Sequence, residues 1–163
     1  MTELLIHSII IGILATFLMD IFAYLREKIS KVKPLNYAFV ARWILGWFDG
    51  QYWHKNIAQS PSKSGEIIIG WFFHYLIGII WVSLFLFLNT LGLYSIHLFS
   101  SIAYGLITVF VPFLIMQPAF GFGYFAQRTP HPKLAMKNSL ISHSVFGIAI
   151  YLSYLFFSHL LTL

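Results

Sequence analysis

Four long blocks of almost uninterrupted apolar residues dominate this chain, and they leave few folds open to it. They run over about residues 4–25, 67–88, 98–120 and 140–161. The hydrocarbon core of a bilayer is about 30 Å thick, which about 20 apolar residues in a helix will cross. Each block has that length. A transmembrane β-barrel would alternate apolar and polar residues over segments of about 10; these blocks are apolar throughout, so they are helices. The remainder of the 163 residues cannot offset them: 59% of the chain is hydrophobic and only 9% is charged. A soluble domain carries roughly 25% charged residues. An ordinary soluble domain, a disordered segment and a nucleic-acid-binding module are excluded on that ground. The fold class is all-α: one polytopic domain over residues 1–163 with four transmembrane helices.

The first block could be taken for a secretory signal, but the only charge ahead of it is Glu3. A signal peptide needs a positive n-region and a shorter apolar core, so the block is expected to be a retained span.

The ten basic residues orient the chain. Arg26, Lys28, Lys31, Lys33, Arg42, Lys55 and Lys63 lie between the first two spans, and Arg128, Lys133 and Lys137 lie between the last two. The N-terminus, the hairpin at residues 89–97 and the C-terminal end carry none. The positive-inside bias makes the basic side cytoplasmic. The expectation is a bacterial inner-membrane protein with both termini periplasmic and a cytoplasmic loop over residues 26–65. A net charge of +5 thus answers to the membrane and not to nucleic acid. With no cysteine, thiolate metal sites and disulfides are out of reach.

The first loop is not simply polar. Residues 35–47 carry Leu35, Tyr37, Phe39, Val40, Trp43 and Ile44 with Arg42 as their one charge. This pattern predicts an interfacial helix lying along the membrane, with Trp43, Trp47, Trp53 and Trp71 as aromatic anchors. Asp49-Gly50 marks a turn. Ser60-Pro61 reads as an N-cap followed by proline at the first helical position, which would open the second helix there. In the third span, Pro112, Pro118, Gly121 and Gly123 predict a kink or an end, and Arg128 to Pro132 reads as an extended turn.

One strong polar group falls in the basic half of each span: Asp20, His74, Gln117 and His143. Asp20 precedes Arg26 by six residues and His143 follows Lys137 by six, so at a rise of 1.5 Å per residue each lies about 9 Å from the nearest basic side chain. His74 lies about 12 Å beyond Glu66 by the same count. Ionisable groups at such depth face protein or a water-filled cavity and find partners. Asp20 is expected to pair with His74 or His143. Two readings stay open, a structural hydrogen-bond network and a binding or proton-relay site.

Gly70-His74-Gly78 and Ser139-His143-Gly147 repeat one spacing of four, with small residues that admit a neighbouring helix. Two repeated helical hairpins would produce this pattern, and so would chance recurrence. His7, His97 and His159, near the other ends of the spans, are weak candidates for a metal site. No P-loop, dinucleotide fingerprint, His-Glu-x-x-His or Gly-x-Ser-x-Gly occurs, and no residue is assigned a catalytic role.

The set Met19-Asp20, Leu35-Asn36-Tyr37, Ala41-Arg42-Trp43, Gly70-Trp71 with His74-Tyr75 and Gly78, Met116-Gln117-Pro118-Ala119 with Gly121 and Gly123, Arg128-Thr129-Pro130, and His143 with Val145-Phe146-Gly147 resembles an uncharacterised bacterial inner-membrane family, a domain of unknown function. The resemblance spans the chain. It implies a four-helix membrane protein and places Asp20, His74, Gln117 and His143 in the family's own pattern, without implying an activity.

Four functions follow as expectations. The foremost is transport of a small solute, ion or proton through the Asp/His/Gln layer, with the lipid bilayer as partner and a homodimer to widen a narrow four-helix path. A structural or accessory membrane protein is the alternative. A redox protein holding haem b between His74 and His143 comes third. A membrane enzyme using a His/Asp acid–base pair is the weakest reading.

Overall fold

The computed structural model describes residues 2–160, and among them every regular element is helical. The long helices are α1 (Thr2–Ser30), α3 (Glu66–Thr90) and α6 (Pro132–Leu160), with α2 (Ala38–Gly46) between the first two. The third apolar block is broken into α4 (Leu98–Thr108), a π-helical turn at Pro112–Met116 and the single turn α5 (Gln117–Ala119). Four helical stretches are long and apolar enough to cross a membrane: Thr2–Ser30, Glu66–Thr90, Leu98–Ala119 and Pro132–His159.

Local chemistry explains the ends. Glu3 in the first turn of α1 and Lys28 in its last complement the helix dipole. Lys31 then takes a left-handed conformation (φ 56°), and its N–H closes on the Glu27 carbonyl at 3.0 Å. Asn36 Oδ1 accepts from the Ala38 N–H at 3.1 Å, turning the chain into α2. Gly50, at φ 71°, makes the turn expected of Asp49-Gly50.

The break in the third span follows from proline. Pro112 has no N–H for the carbonyl four residues back, and the chain takes up the slack as a wider turn in which the Gln117 N–H reaches the Pro112 carbonyl. After α5, Gly121 and Gly123 both adopt positive φ (85° and 74°), and the helix is over.

Two sequence expectations need correction, and one helix starts ahead of its apolar block. The second long helix opens at Glu66 and not at Ser60-Pro61. Ser60 is spent elsewhere: its carbonyl accepts from Arg42 and its hydroxyl lies 2.9 Å from His54 Nδ1. The half-cap comes instead from Glu66, whose Oε2 accepts the Lys63 N–H at 2.9 Å. The last helix begins at Pro132, well ahead of its apolar block, with proline at the first helical position. Residues 128–132 are not extended: Arg128 N–H closes on the Phe122 carbonyl at 2.8 Å and Thr129 N–H on the Ala126 carbonyl at 2.9 Å.

The chain divides into two compact units. Within the described residues, one comprises residues 2–34, 75–108 and 141–160. Its core is Ile11, Ala15, Val82, Phe85, Leu86, Tyr104, Phe146, Ala149 and Ile150. The other comprises Leu35–His74 and Val109–Leu140 and is centred on Val40, Ile57, Ala119 and Phe120, with Trp43, Phe73 and Met116 against them. Large apolar side chains also point outward: Ile68 is 78% exposed and Phe99 is 78% exposed. A helix surface of that kind suits hydrocarbon better than water.

Candidate functional site

Helix α1 carries Asp20, and its carboxylate accepts a hydrogen bond from the Tyr75 hydroxyl on α3. In the sequence Tyr75 stands only within the motif His74-Tyr75 and is not a candidate site residue. Its only signal there is its place beside His74.

His143 lies in the same unit on α6. Its Nδ1 is 2.6 Å from Thr108 Oγ1 at the end of α4. Thr108 in turn donates its hydroxyl proton to the Gly105 carbonyl at 2.6 Å. A threonine has one proton to give. With that proton on Gly105, Nδ1–H of His143 is the donor to Thr108. The contact is possible because the helices nearly touch. A Cβ on Gly105 would stand 2.3 Å from the His143 carbonyl oxygen, and one on Gly147 would stand 2.4 Å from that of Ser101. Glycine four residues after the histidine is therefore a packing requirement.

His74 meets a different neighbour. Its ring stacks on Tyr37 with centroids 3.9 Å apart and planes 19° apart, and Trp71 meets it edge-on at 5.8 Å. Gly70, one turn earlier, takes the Tyr37 backbone: a Cβ there would lie 2.2 Å from the Tyr37 carbonyl oxygen. Gly70 and His74 thus clasp one residue, backbone and ring. The two trios share the close approach of a neighbour and differ in what the imidazole touches.

Gln117 follows directly on the π-helical turn. Its Nε2 is 3.5 Å from Ser139 Oγ, a long contact, and its Oε1 is buried without a donor. An unsatisfied buried acceptor costs about 1–3 kcal/mol, and π turns recur at functional sites. Ser139, expected as a small packing residue, supplies a polar contact as well.

Sequence reasoning missed the best-built polar cluster of the second unit. Arg42, 7% exposed on α2, forms a two-pronged pair with Glu66: Nε to Oε2 at 2.9 Å and Nη2 to Oε1 at 2.6 Å. Its Nη1 donates to the carbonyls of Ile57 (2.6 Å) and Ser60 (2.9 Å). Next to it, His54 is buried, with Nδ1 at Ser60 Oγ and Gln51 Nε2, and with Nε2 unpartnered. Burial, then the charges of Arg42 and Lys63, hold the His54 imidazole below its ordinary value. Pairing with Glu66 raises Arg42 still higher. The backbone N–H groups of His54 and Ile57 donate to the carbonyls of Ala119 and Phe120 at 2.8 and 2.9 Å. The loop is thereby laced to the end of the broken third span. Gly121 makes room for it, since a Cβ there would lie 2.2 Å from the Lys55 carbonyl oxygen. The one available signal was Arg42 itself, a lone charge in an apolar stretch.

The third group of histidines does not assemble. His7 packs edge-on against Phe157, and His97 Nδ1 accepts the Ser100 N–H at 3.2 Å. Among the described residues, no three His, Asp or Glu side chains gather as a metal-holding group, so His7, His97 and His159 do not form one. Of the four tryptophans expected as anchors, Trp47, Trp53 and Trp71 are exposed. Trp43 instead packs on Trp47 and Phe120 and donates its indole N–H to the Tyr52 carbonyl.

No curated protein and no solved structure matches this chain. One family model does, from residue 9 to residue 157, and it reaches into all four apolar helices and takes in the broken third span and every polar group just described except the outer histidines His7 and His159. The chain therefore belongs to the family described as protein of unknown function (DUF2938).

Proposed function

We propose that this chain is a multi-pass protein of the bacterial inner membrane that moves a small solute, an ion or a proton, with Asp20, His74, Gln117 and His143 as the polar groups it uses. The observation that carries the reading is Gln117. Its buried amide oxygen has no donor, and it sits where the π turn interrupts the third span. Irregular backbone at membrane depth is tolerated where it is buried in protein or lines a cavity. An open acceptor there suits a cation or a solute that brings its own hydrogen-bond donor. Asp20 supplies the ionisable group, held in orientation by Tyr75. A second copy of the chain would give a wider path than four helices can enclose.

A structural or accessory role is the second reading. It is favoured by the local partner that three of the four candidates have: Tyr75 for Asp20, Thr108 for His143, Tyr37 for His74. Flux and stability separate the two. In proteoliposomes under proton, sodium and potassium gradients, transport predicts a flux above empty vesicles that Asp20→Asn and Gln117→Leu each cut at least tenfold. The accessory role predicts no flux, and a lower unfolding temperature for Asp20→Asn. Wild-type vesicles no leakier than empty ones, or a flux that neither substitution alters, would sink the transport reading.

A further inference from the structure

The last turn of α1 ends in a hollow of about 260 Å³ lined by Tyr24, Glu27, Lys28, Lys31 and Lys33. Three features make it more than a basic surface. Lys31 stands in the left-handed region at φ 56°, a conformation that costs a side-chain-bearing residue about 1–2 kcal/mol. It ends the helix there and turns the chain so that Lys33 lines the same hollow as Lys28 and Lys31. Lys28 Nζ is placed 5.2 Å from the centre of the Tyr24 ring, a cation–π distance that holds the ammonium in position. Beside these charges the same helix exposes apolar side chains: Leu25 is 50% exposed and Ile29 is 80% exposed.

We propose that this hollow binds the headgroup of an anionic phospholipid. Three lysines face one glutamate, so the lining is cationic. It lies at the end of a helix long and apolar enough to cross a membrane, where long basic side chains reach the headgroup layer. Leu25 and Ile29 fall on adjoining turns of one face, which suits an acyl chain running on from the phosphate. A free phosphate has no use for them. The site is independent of the transport reading, since it uses none of the four intramembrane candidates.

The test is native mass spectrometry of the full chain in mild detergent with equimolar phosphatidylglycerol and phosphatidylcholine. The wild type should retain phosphatidylglycerol at least fivefold over phosphatidylcholine. The triple variant Lys28→Gln, Lys31→Gln, Lys33→Gln should bind the two equally, and the pair Lys133→Gln, Lys137→Gln should keep the wild-type preference. Glu27→Gln should strengthen the preference about threefold, a gain that a folding defect would not produce. Equal retention by the wild type, or an undiminished preference in the triple variant, would overturn the assignment. So would complete displacement of the lipid by millimolar glycerol 3-phosphate, which would make the site one for a soluble phosphate.

Discussion

Replacing Glu66 with alanine removes both oxygens from a guanidinium that the surrounding fold has nearly closed off from solvent. Arg42 is 7% exposed and makes four hydrogen bonds, two to Glu66 and two to the Ile57 and Ser60 carbonyls. The carbonyls remain in the variant, but the countercharge does not. Breaking a buried pair by deleting one partner costs about 3–5 kcal/mol, mostly from the charge left behind. For a chain of 163 residues, each kcal/mol moves Tm by about 2–4 °C, so the drop should be about 6–20 °C. Intrinsic tryptophan fluorescence in detergent can read it, because Trp43 lies next to Arg42 on α2. The same molecule provides its own control. Lys63 and Asp49 also pair, but Asp49 is 63% exposed, and exposed pairs contribute about 0–1 kcal/mol. Asp49→Asn should move Tm by no more than about 4 °C at the same conversion. The double variant Arg42→Met, Glu66→Leu should recover much of what Glu66→Ala loses, because no unpaired charge remains. A Glu66→Ala shift as small as that of Asp49→Asn would refute the claim that Arg42 is a buried charge dependent on Glu66.

Gly105→Ala should destabilise by about 1–3 kcal/mol, because its Cβ would lie 2.3 Å from the His143 carbonyl oxygen and 2.8 Å from Gly147 N. Gly92→Ala, at φ 72° in open space, should cost only the backbone strain of about 1–2 kcal/mol; a thermal scan ranking the two in reverse would contradict the close crossing. His54 predicts a pH dependence. Its folded value is depressed below the ordinary 6.5, so below that pH the unfolded chain takes up a proton the folded chain refuses. Stability should therefore be full above about pH 6.5 and fall as the solution is acidified. The slope of Tm between pH 8 and 5 should be shallower in His54→Asn than in the wild type, and parallel slopes would show that His54 contributes nothing to it.

The spans, their helical state and the break in the third could be read from the chain because each depends on local or summed properties. Crossing a bilayer needs enough apolar residues in a row, and that sum does not depend on which way any side chain faces. Pro112 disrupts its helix because it lacks an N–H, whatever surrounds it. The candidates Asp20, His74, Gln117 and His143 stand out by their polarity within apolar blocks, which is also a local property. Their partners do not, because a partner depends on rotation about the helix axis and on which helix lies alongside. Asp20 finds Tyr75, His143 finds Thr108 thirty-five residues away, and His74 finds the ring of Tyr37. Ser60-Pro61 carried a sound local signal for a helix start, and tertiary structure overrode it by turning Ser60 toward Arg42 and His54. Arg42 and Glu66, twenty-four residues apart, left no spacing to recognise. The sequence by itself determined that this chain forms four long apolar helices, since a hydrocarbon solvent selects on composition. Only the tertiary structure decided which polar group meets which, since hydrogen bonds and ion pairs act over about 3 Å and require the atoms themselves to be brought together.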